Sequence, residues 1–421
     1  MNASQRPTLI RADRIVDGHG EHALAQPEVL VIDGRFAAIG ERDSLPVPTD
    51  AVVLDLAGRT LFPGLIDAHM HFFGVPSRTL HLRPTERESY RVLRAAAEAQ
   101  AMLWAGITSA RDLGSSVGPD LRRAIDEGLV PGPRLQAAGE FVATTAGTWE
   151  YTTLPLHWAQ ERDVAADGPD AMRAIVRRRV RSGATVIKLG LSKGAVGDRN
   201  RSWGHDPAHQ VQAMTLEEAR AAVDEAHIHG LRVSGHAIGD RSVNLGLDAG
   251  VDVIEHAHGI TQETRARLAE SRTLVGTTIA AMVRNHETFD SHSFSAEERR
   301  SVDLHLAQMQ EDFSRSIEAG VRYVLGTDLI GPPTQAQHEA AREFAHLVAW
   351  GMPPLDAIVA GTLHGAEAMA LDGEIGGIEV GMAADLIAVP RSPLDDITVL
   401  QHPSFVMHDG VVVRLDDHVA V

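Results

Sequence analysis

Two histidines two residues apart, His69 and His71, end the apolar run Leu65-Ile66-Asp67-Ala68. On a strand that spacing turns both imidazoles to one face, as a chelate requires. Four further polar residues close short apolar runs: Lys188 after Val186-Ile187, His236 after Val233-Ser234-Gly235, His256 after Val253-Ile254-Glu255, and Asp328 after Val324-Leu325-Gly326-Thr327. Together the six read as one dinuclear metal site, since imidazole nitrogen and carboxylate oxygen suit Zn²⁺ first, with Mn²⁺ or Co²⁺ as alternatives. A solitary His-x-His is more often a satisfied or solvent-facing pair, and a solitary lysine at a strand end more often snorkels to water. Repetition of the pattern is what gives it meaning. A lysine ringed by apolar neighbours has a lowered pKa, and its neutral amine can add carbon dioxide to form a carbamate that bridges two metals.

Polar ligands placed repeatedly at strand ends are what a (β/α)₈ TIM barrel offers on its active face. Apolar runs at 64–71, 106–113, 134–139, 185–189, 232–237, 251–257, 273–279 and 321–327 supply the eight strands. Helical periodicity fills the gaps, most clearly at 86–105, 169–182, 215–229, 261–271, 296–319 and 335–350, so parallel strands with crossover helices are predicted. Residues 63–375 are thus expected to form an α/β catalytic barrel. Before and after it, short strands broken by turns, including an Asp33-Gly34 hairpin signal, predict a small β-sandwich module built from residues 1–62 and 376–421. Two long stretches without periodicity, 140–168 and 191–213, follow the third and fourth strands, where barrel loops build substrate walls.

Bulk composition narrows the classes. Hydrophobic residues make up 44% of the 421 and charged residues 23%, ordinary globular values that exclude a disordered or fibrous chain. A net charge of −18 argues against nucleic acid as partner, the Arg177-Arg178-Arg179 cluster on a helix-like segment reading as a solvated face. There is no cysteine, so any metal must be held by nitrogen and oxygen. No apolar run approaches a membrane span, and Met1-Asn2-Ala3-Ser4-Gln5-Arg6 lacks the pattern of a signal peptide. A cytoplasmic homo-oligomer acting on a small molecule is the expectation.

Three segments resemble signatures of the amidohydrolase superfamily: Pro63-Gly64-Leu65-Ile66-Asp67-Ala68-His69-Met70-His71, Leu325-Gly326-Thr327-Asp328, and the return Gly376-Gly377-Ile378-Glu379-Val380-Gly381-Met382-Ala383-Ala384-Asp385. Gly106-Ile107-Thr108-Ser109-Ala110-Arg111-Asp112-Leu113-Gly114 and Gly250-Val251-Asp252-Val253-Ile254-Glu255-His256 are similar to the prolidase-like branch, which includes Xaa-Pro dipeptidases, N-acyl amino acid carboxypeptidases, ochratoxin amidases and arylurea hydrolases. The resemblance implies that His69, His71 and Asp328 hold a buried metal and that His236 and His256 hold an outer one. Carbamylated Lys188 would bridge the two. It further implies cleavage of a C–N amide, urea or carbamate-like bond by a metal-bridging hydroxide, with Asp328 as the catalytic proton acceptor and donor.

The chain departs from the branch where substrate is read. Thr145-Ala146-Gly147-Thr148-Trp149 stands for the usual Gly-His-Gly, and Ala237-Ile238 for Ala-Tyr. Those missing side chains help peptidase members grip a carboxylate. Phe72, Phe73, Trp149, Tyr151, Trp203 and His258 are the expected substrate contacts, Trp149, Tyr151, Trp158 and Trp203 gathering half of the chain's five Trp and three Tyr in two loops. An apolar or aromatic substrate without a carboxylate clamp is predicted. Arg111 and Asp112 are expected to pair with each other. Xaa-Pro dipeptidase or carboxypeptidase action, ester or phosphotriester hydrolysis, and deamination are the alternatives. Deaminases of the superfamily lack the bridging lysine and carry a glutamate three residues after the fifth-strand histidine; here Lys188 is present and that position is Gly239.

Overall fold

A computed structural model describes the chain apart from residues 1–5, 21–23, 25, 151–153, 195–202, 417 and 420–421. The first four strands, β1 (Thr8–Ile15), β2 (Pro27–Ile32), β3 (Arg35–Glu41) and β4 (Val52–Pro63), lead into β5 (Leu65–Met70), β6 (Ile107–Asp112) and β7 (Arg134–Ala137). Then come β8 (Val186–Gly190), the short pair β9 (Ser192–Lys193) and β10 (Val211–Gln212), and β11 (Arg232–Ala237), β12 (Val253–His256), β13 (Leu274–Gly276) and β14 (Tyr323–Val324). The last four are β15 (Leu386–Val389), β16 (Phe405–His408), β17 (Val411–Leu415) and β18 (His418–Val419).

All eight apolar runs of the central region become strands, and they pair in parallel as an α/β fold. One sheet holds β5-β6-β7 and another β14-β13-β12-β11-β8. β5 and β8, buried along their whole length, carry no polar face, as parallel strands covered on both sides require. Hydrogen bonds also link the edges of the two sheets. Ala68 N donates to Leu325 O at 2.9 Å and Thr327 N to His69 O at 2.9 Å, while Val142 N donates to Lys188 O at 2.9 Å. Parallel bridges pair Met70 with Leu329 and Val142 with Leu189.

Helices return the chain between strands, and their starts are written in the sequence. Thr215 with Glu218 caps Leu216–Ile228, and Ser295 with Glu298 caps Ala296–Glu318, each as a capping box. The periodic stretch 335–350 divides into a 3₁₀ turn, Gln337–Glu339, and a helix, Arg342–Ala349. Further helices at Asp240–Ala249 and Ile279–Glu287 complete the alternation. Among the described residues no helix is long and apolar enough to cross a membrane.

The two chain ends meet in one eight-stranded sheet, ordered β18-β17-β16-β15-β4-β1-β2-β3. β15 pairs antiparallel with β4, Leu386 opposite Pro63. Ile10, Val29, Phe36, Leu61, Leu386 and Phe405, drawn from both ends, share a single core. Asp33 and Gly34, both with positive φ, turn β2 into β3 as predicted. Where this sheet meets the central strands, Asp385 accepts from Arg134 of β7 at 2.5 Å and pairs with His408 Nδ1 at 2.8 Å.

Candidate metal centre

His69 lies on β5 with His71 just beyond it, Lys188 lies on β8, His236 on β11 and His256 at the end of β12, while Asp328 follows β14. All six are buried, none more than 9% exposed, and their polar atoms converge. Lys188 Nζ lies 3.3 Å from His69 Nε2. Asp328 Oδ1 is 3.0 Å from His71 Nε2 and 3.5 Å from His69 Nε2. His236 Nδ1 faces His256 Nε2 at 2.7 Å. One potential ligand atom from each of His69, His256 and Asp328 lies within 4.8 Å of the others.

The backbone bends to bring them there. His256 and Asp328 have φ of 75° and 55°, a left-handed conformation uncommon for such residues and often found at functional sites. Gly326 permits the close passage of its strand beside β5, because a Cβ there would sit 2.6 Å from the Cβ of His69. Asp67 fixes the same junction, accepting from His69 N at 3.2 Å, Thr327 N at 3.1 Å and Thr327 Oγ1 at 2.7 Å. Burial lifts its carboxyl to about 7 against those hydrogen bonds.

A buried network beneath the cluster holds His69. Its Nδ1 bonds Glu255 Oε2 at 2.8 Å, leaving Nε2 for the centre. Ser234 Oγ donates to the other Glu255 oxygen and accepts from Arg111 Nη2 at 2.7 Å. Burial alone would raise the Glu255 carboxyl, yet His69, Lys188 and Arg111 hold it well below the usual range. Lys188 moves the other way, to about 8, because burial disfavours its ammonium. Burial also lowers His71 to about 4 and drives His256 well below the ordinary histidine value. Asp328, despite burial, falls to about 2 beside His69 and His71. The set is four imidazoles, with those of His71 and His256 held neutral by burial, one carboxylate and a lysine whose pKa burial lowers. That chemistry fits divalent cations bound through nitrogen and oxygen.

The cluster floors a cavity of about 350 Å³, walled by Phe73, Leu80, Trp149, Trp203, Met282 and Ile330 and carrying Arg83, Glu150, Asn285 and Gln335 as polar members. Trp149 stacks on Phe141 at 3.8 Å and meets His236 edge-on at 5.2 Å. Trp203 lies 4.3 Å from the His256 ring and donates through Nε1 to Asp328 Oδ2 at 3.1 Å. Thr148 and Ile238 are both buried and outside the cavity lining; Thr148 Oγ1 donates to the Ser192 carbonyl and the Ile238 backbone N to Ser192 Oγ at 2.9 Å.

Several expected contacts fall elsewhere. Phe72 is fully buried in the main core and only Phe73 reaches the cavity. His258 is absent from the cavity wall; its Nε2 pairs with His305 Nδ1 at 2.8 Å, with Trp203 stacked on it at 5.4 Å. Trp158 sits in the helix Leu156–Glu161, outside the lining, and Tyr151 lies outside the described residues. Arg111 and Asp112 do not pair. Neighbours on a strand point to opposite faces, so Arg111 turns toward Ser234 while Asp112 accepts from Gly114 N at 3.3 Å. Glu255 went unassigned in the sequence although it adjoins a ligand position; a carboxylate inside a buried strand was the available signal. Arg83 and Glu150 come from segments without periodicity, Asn285 from the helix Ile279–Glu287 and Gln335 from a bridge to Gly331, and nothing in their spacing marks them.

Comparison with known proteins identifies the family. The model of the amidohydrolase family matches residues 60–414. An ochratoxinase of Aspergillus niger is 29% identical, the match covering 97% of this chain and 88% of the relative. The crystal structure of a Xaa-Pro dipeptidase with bound methionine superposes with a TM-score of 0.85 at 28% identity, covering 97% of this chain and all of the other. That of A. niger ochratoxinase gives 0.83 at 26% identity, over 98% and 96% of the two chains.

Proposed function

Because this chain belongs to the amidohydrolase family, on its prolidase-like branch, we propose that it is a dinuclear metal-dependent hydrolase cleaving an amide, urea or carbamate-like C–N bond in a small apolar molecule. The convergence of His69, His71, Lys188, His236, His256 and Asp328 on the floor of one cavity carries the reading. In the same reading residues 63–375 close as a (β/α)₈ barrel, supported by hydrogen bonds between both edges of its two sheets. Residues 1–62 and 376–421 form the sandwich module, supported by their shared core.

His69, His71 and Asp328 would hold one ion, His236 and His256 the other, and carbamylated Lys188 both. Two divalent ions there, zinc first, would bring the pKa of a water toward about 7 and polarise the scissile carbonyl. Asp328 takes a proton from the attacking water and delivers it to the departing nitrogen, while the hydroxyl stays on the acyl carbon. Trp203 steadies this carboxylate through its Oδ2. Glu255 keeps the His69 ring turned so that Nε2 meets the centre. Lys188, whose pKa burial lowers to about 8, has more of its neutral amine near neutral pH than an ordinary lysine and would add carbon dioxide through that nitrogen, releasing a proton as the carbamate forms.

The apolar walls, and the absence from the lining of side chains at positions 148 and 238, favour substrates without a free carboxylate. Arg284 offers no clamp, being paired with Glu287 at 2.8 Å and Glu339 at 2.9 Å outside the lining. A panel of N-acyl amino acids, arylamides, arylureas and esters with metal-loaded protein tests the proposal. Turnover concentrated in aryl amides or ureas that carry no free carboxylate is expected. Hydrolysis of none of the C–N substrates would overturn the activity, and a strong kcat/KM preference for the free acid over its neutral counterpart would overturn the reading of the pocket.

A further inference from the structure

Glu150 is the unexplained charge of the cavity. It is 6% exposed and lines the same space as the histidine cluster, yet among the described residues it makes no hydrogen bond or ion pair. Burying an unpaired carboxylate is costly, and proteins ordinarily answer the cost with a partner. Among the described residues no lysine or arginine pairs with it. Arg83, which shares the cavity, is turned to Glu140 at 3.2 Å, with its guanidinium over Phe73 and Phe141 at 4.7 and 5.3 Å.

The surroundings indicate what the missing partner is. Glu150 follows Trp149, whose ring meets His236 edge-on, and both residues line the cavity that the histidine cluster floors. Phe73, Trp149 and Trp203 present aromatic surface to the same space. Aromatic faces beside a buried carboxylate are the setting in which an organic cation is held, by charge at one side and ring quadrupoles at the others. From this we infer that the substrate carries a positively charged nitrogen group, an ammonium on an otherwise apolar or aromatic frame, and that Glu150 with the ring of Trp149 selects it. The inference rests on the hydrolase reading above only in calling the occupant a substrate; the binding preference stands apart from turnover.

The probe is benzyltrimethylammonium, whose quaternary nitrogen has no lone pair for a metal, set against its uncharged isostere in which carbon replaces nitrogen. Calorimetric titration of the metal-loaded protein is expected to show the cation binding at least about tenfold more tightly than the isostere. Glu150→Gln should bring the two within about threefold of each other, and Glu150→Asp, which keeps the charge, should retain part of the preference. Equal binding of cation and isostere by the parent protein, or no binding of either, overturns the inference whether or not the variants fold. A preference undiminished in Glu150→Gln overturns the role of this residue. Because no bond is broken in this measurement, its failure leaves the hydrolase reading untouched, whereas a panel of amides that yields no product fails that reading alone.

Discussion

At the scale of single residues the proposed mechanism depends on two protonation events in the chain's own side chains. Lys188 must lose its proton to become a carbamate, and burial has already brought it to about 8. Lys188→Ala should abolish turnover, and formate or acetate should restore part of it by occupying the bridging place; a folded, metal-loaded variant that no short acid rescues would remove the carbamate from the mechanism. Asp328→Asn should keep the metals, since an amide oxygen still ligates, and lose about 10²–10⁴-fold in kcat with no proton to pass. Turnover within a factor of about three of the parent would reject that role. Both residues were legible in the sequence because each closes an apolar run. Glu255 was not: its partner His69 lies on a different strand, and contacts across a sheet leave no mark in local spacing. The same holds for Glu150, whose meaning comes from having no partner among the described residues, a property visible only in three dimensions.

At the scale of elements, strand existence was readable and strand extent was less so. The run 321–327 yields only Tyr323–Val324 as strand, because the backbone leaves regular pairing to present Asp328 at positive φ. Patterning cannot report such a bend, since the same apolar residues suit either course. The contact between the central strands and the terminal sheet was equally hidden: Asp385 belongs to a recognisable return motif, but its partners Arg134 and His408 are distant in sequence. Burial would raise the Asp385 carboxyl, and His408 and Arg134 hold it well below its ordinary range instead. A carboxyl lowered on folding contributes stability that is present above its unfolded pKa of about 3.9 and is lost as pH falls through the folded value. Asp385→Asn should therefore cost about 2 kcal/mol near pH 7, less than the 3–5 of a fully enclosed pair because Arg134 is partly exposed. The difference from the parent should shrink as pH falls below about 4. Urea unfolding at pH 7 and at acid pH checks this, and a gap that stays constant across the range would mean the pair is not what the substitution removes.

At the scale of the whole molecule, the six side chains come from both sheets of the central region and meet at one place. His69, Lys188, His236 and His256 stand on four strands divided between two sheets, and Asp328 comes from the segment beyond β14. In the bare protein these groups meet as four buried imidazoles beside a lysine and a carboxylate, contacts far weaker than metal ligation. Anything that binds them in the folded state and not in the unfolded one stabilises the entire fold by mass action, about 4 kcal/mol when free metal exceeds its dissociation constant a thousandfold. The prediction is that protein never exposed to chelator contains two metals per chain. Stripping them should lower the midpoint of thermal unfolding by roughly 4–10 °C, an effect that zinc reverses. The ligands span both sheets, so the loss should appear as a shift of one cooperative transition and not as the early melting of a single loop. Elemental analysis and calorimetry before and after chelation decide the matter: one metal or fewer per chain, with a midpoint indifferent to chelator and to added zinc, would show that the cluster holds itself together without ions and would remove the dinuclear centre from this protein.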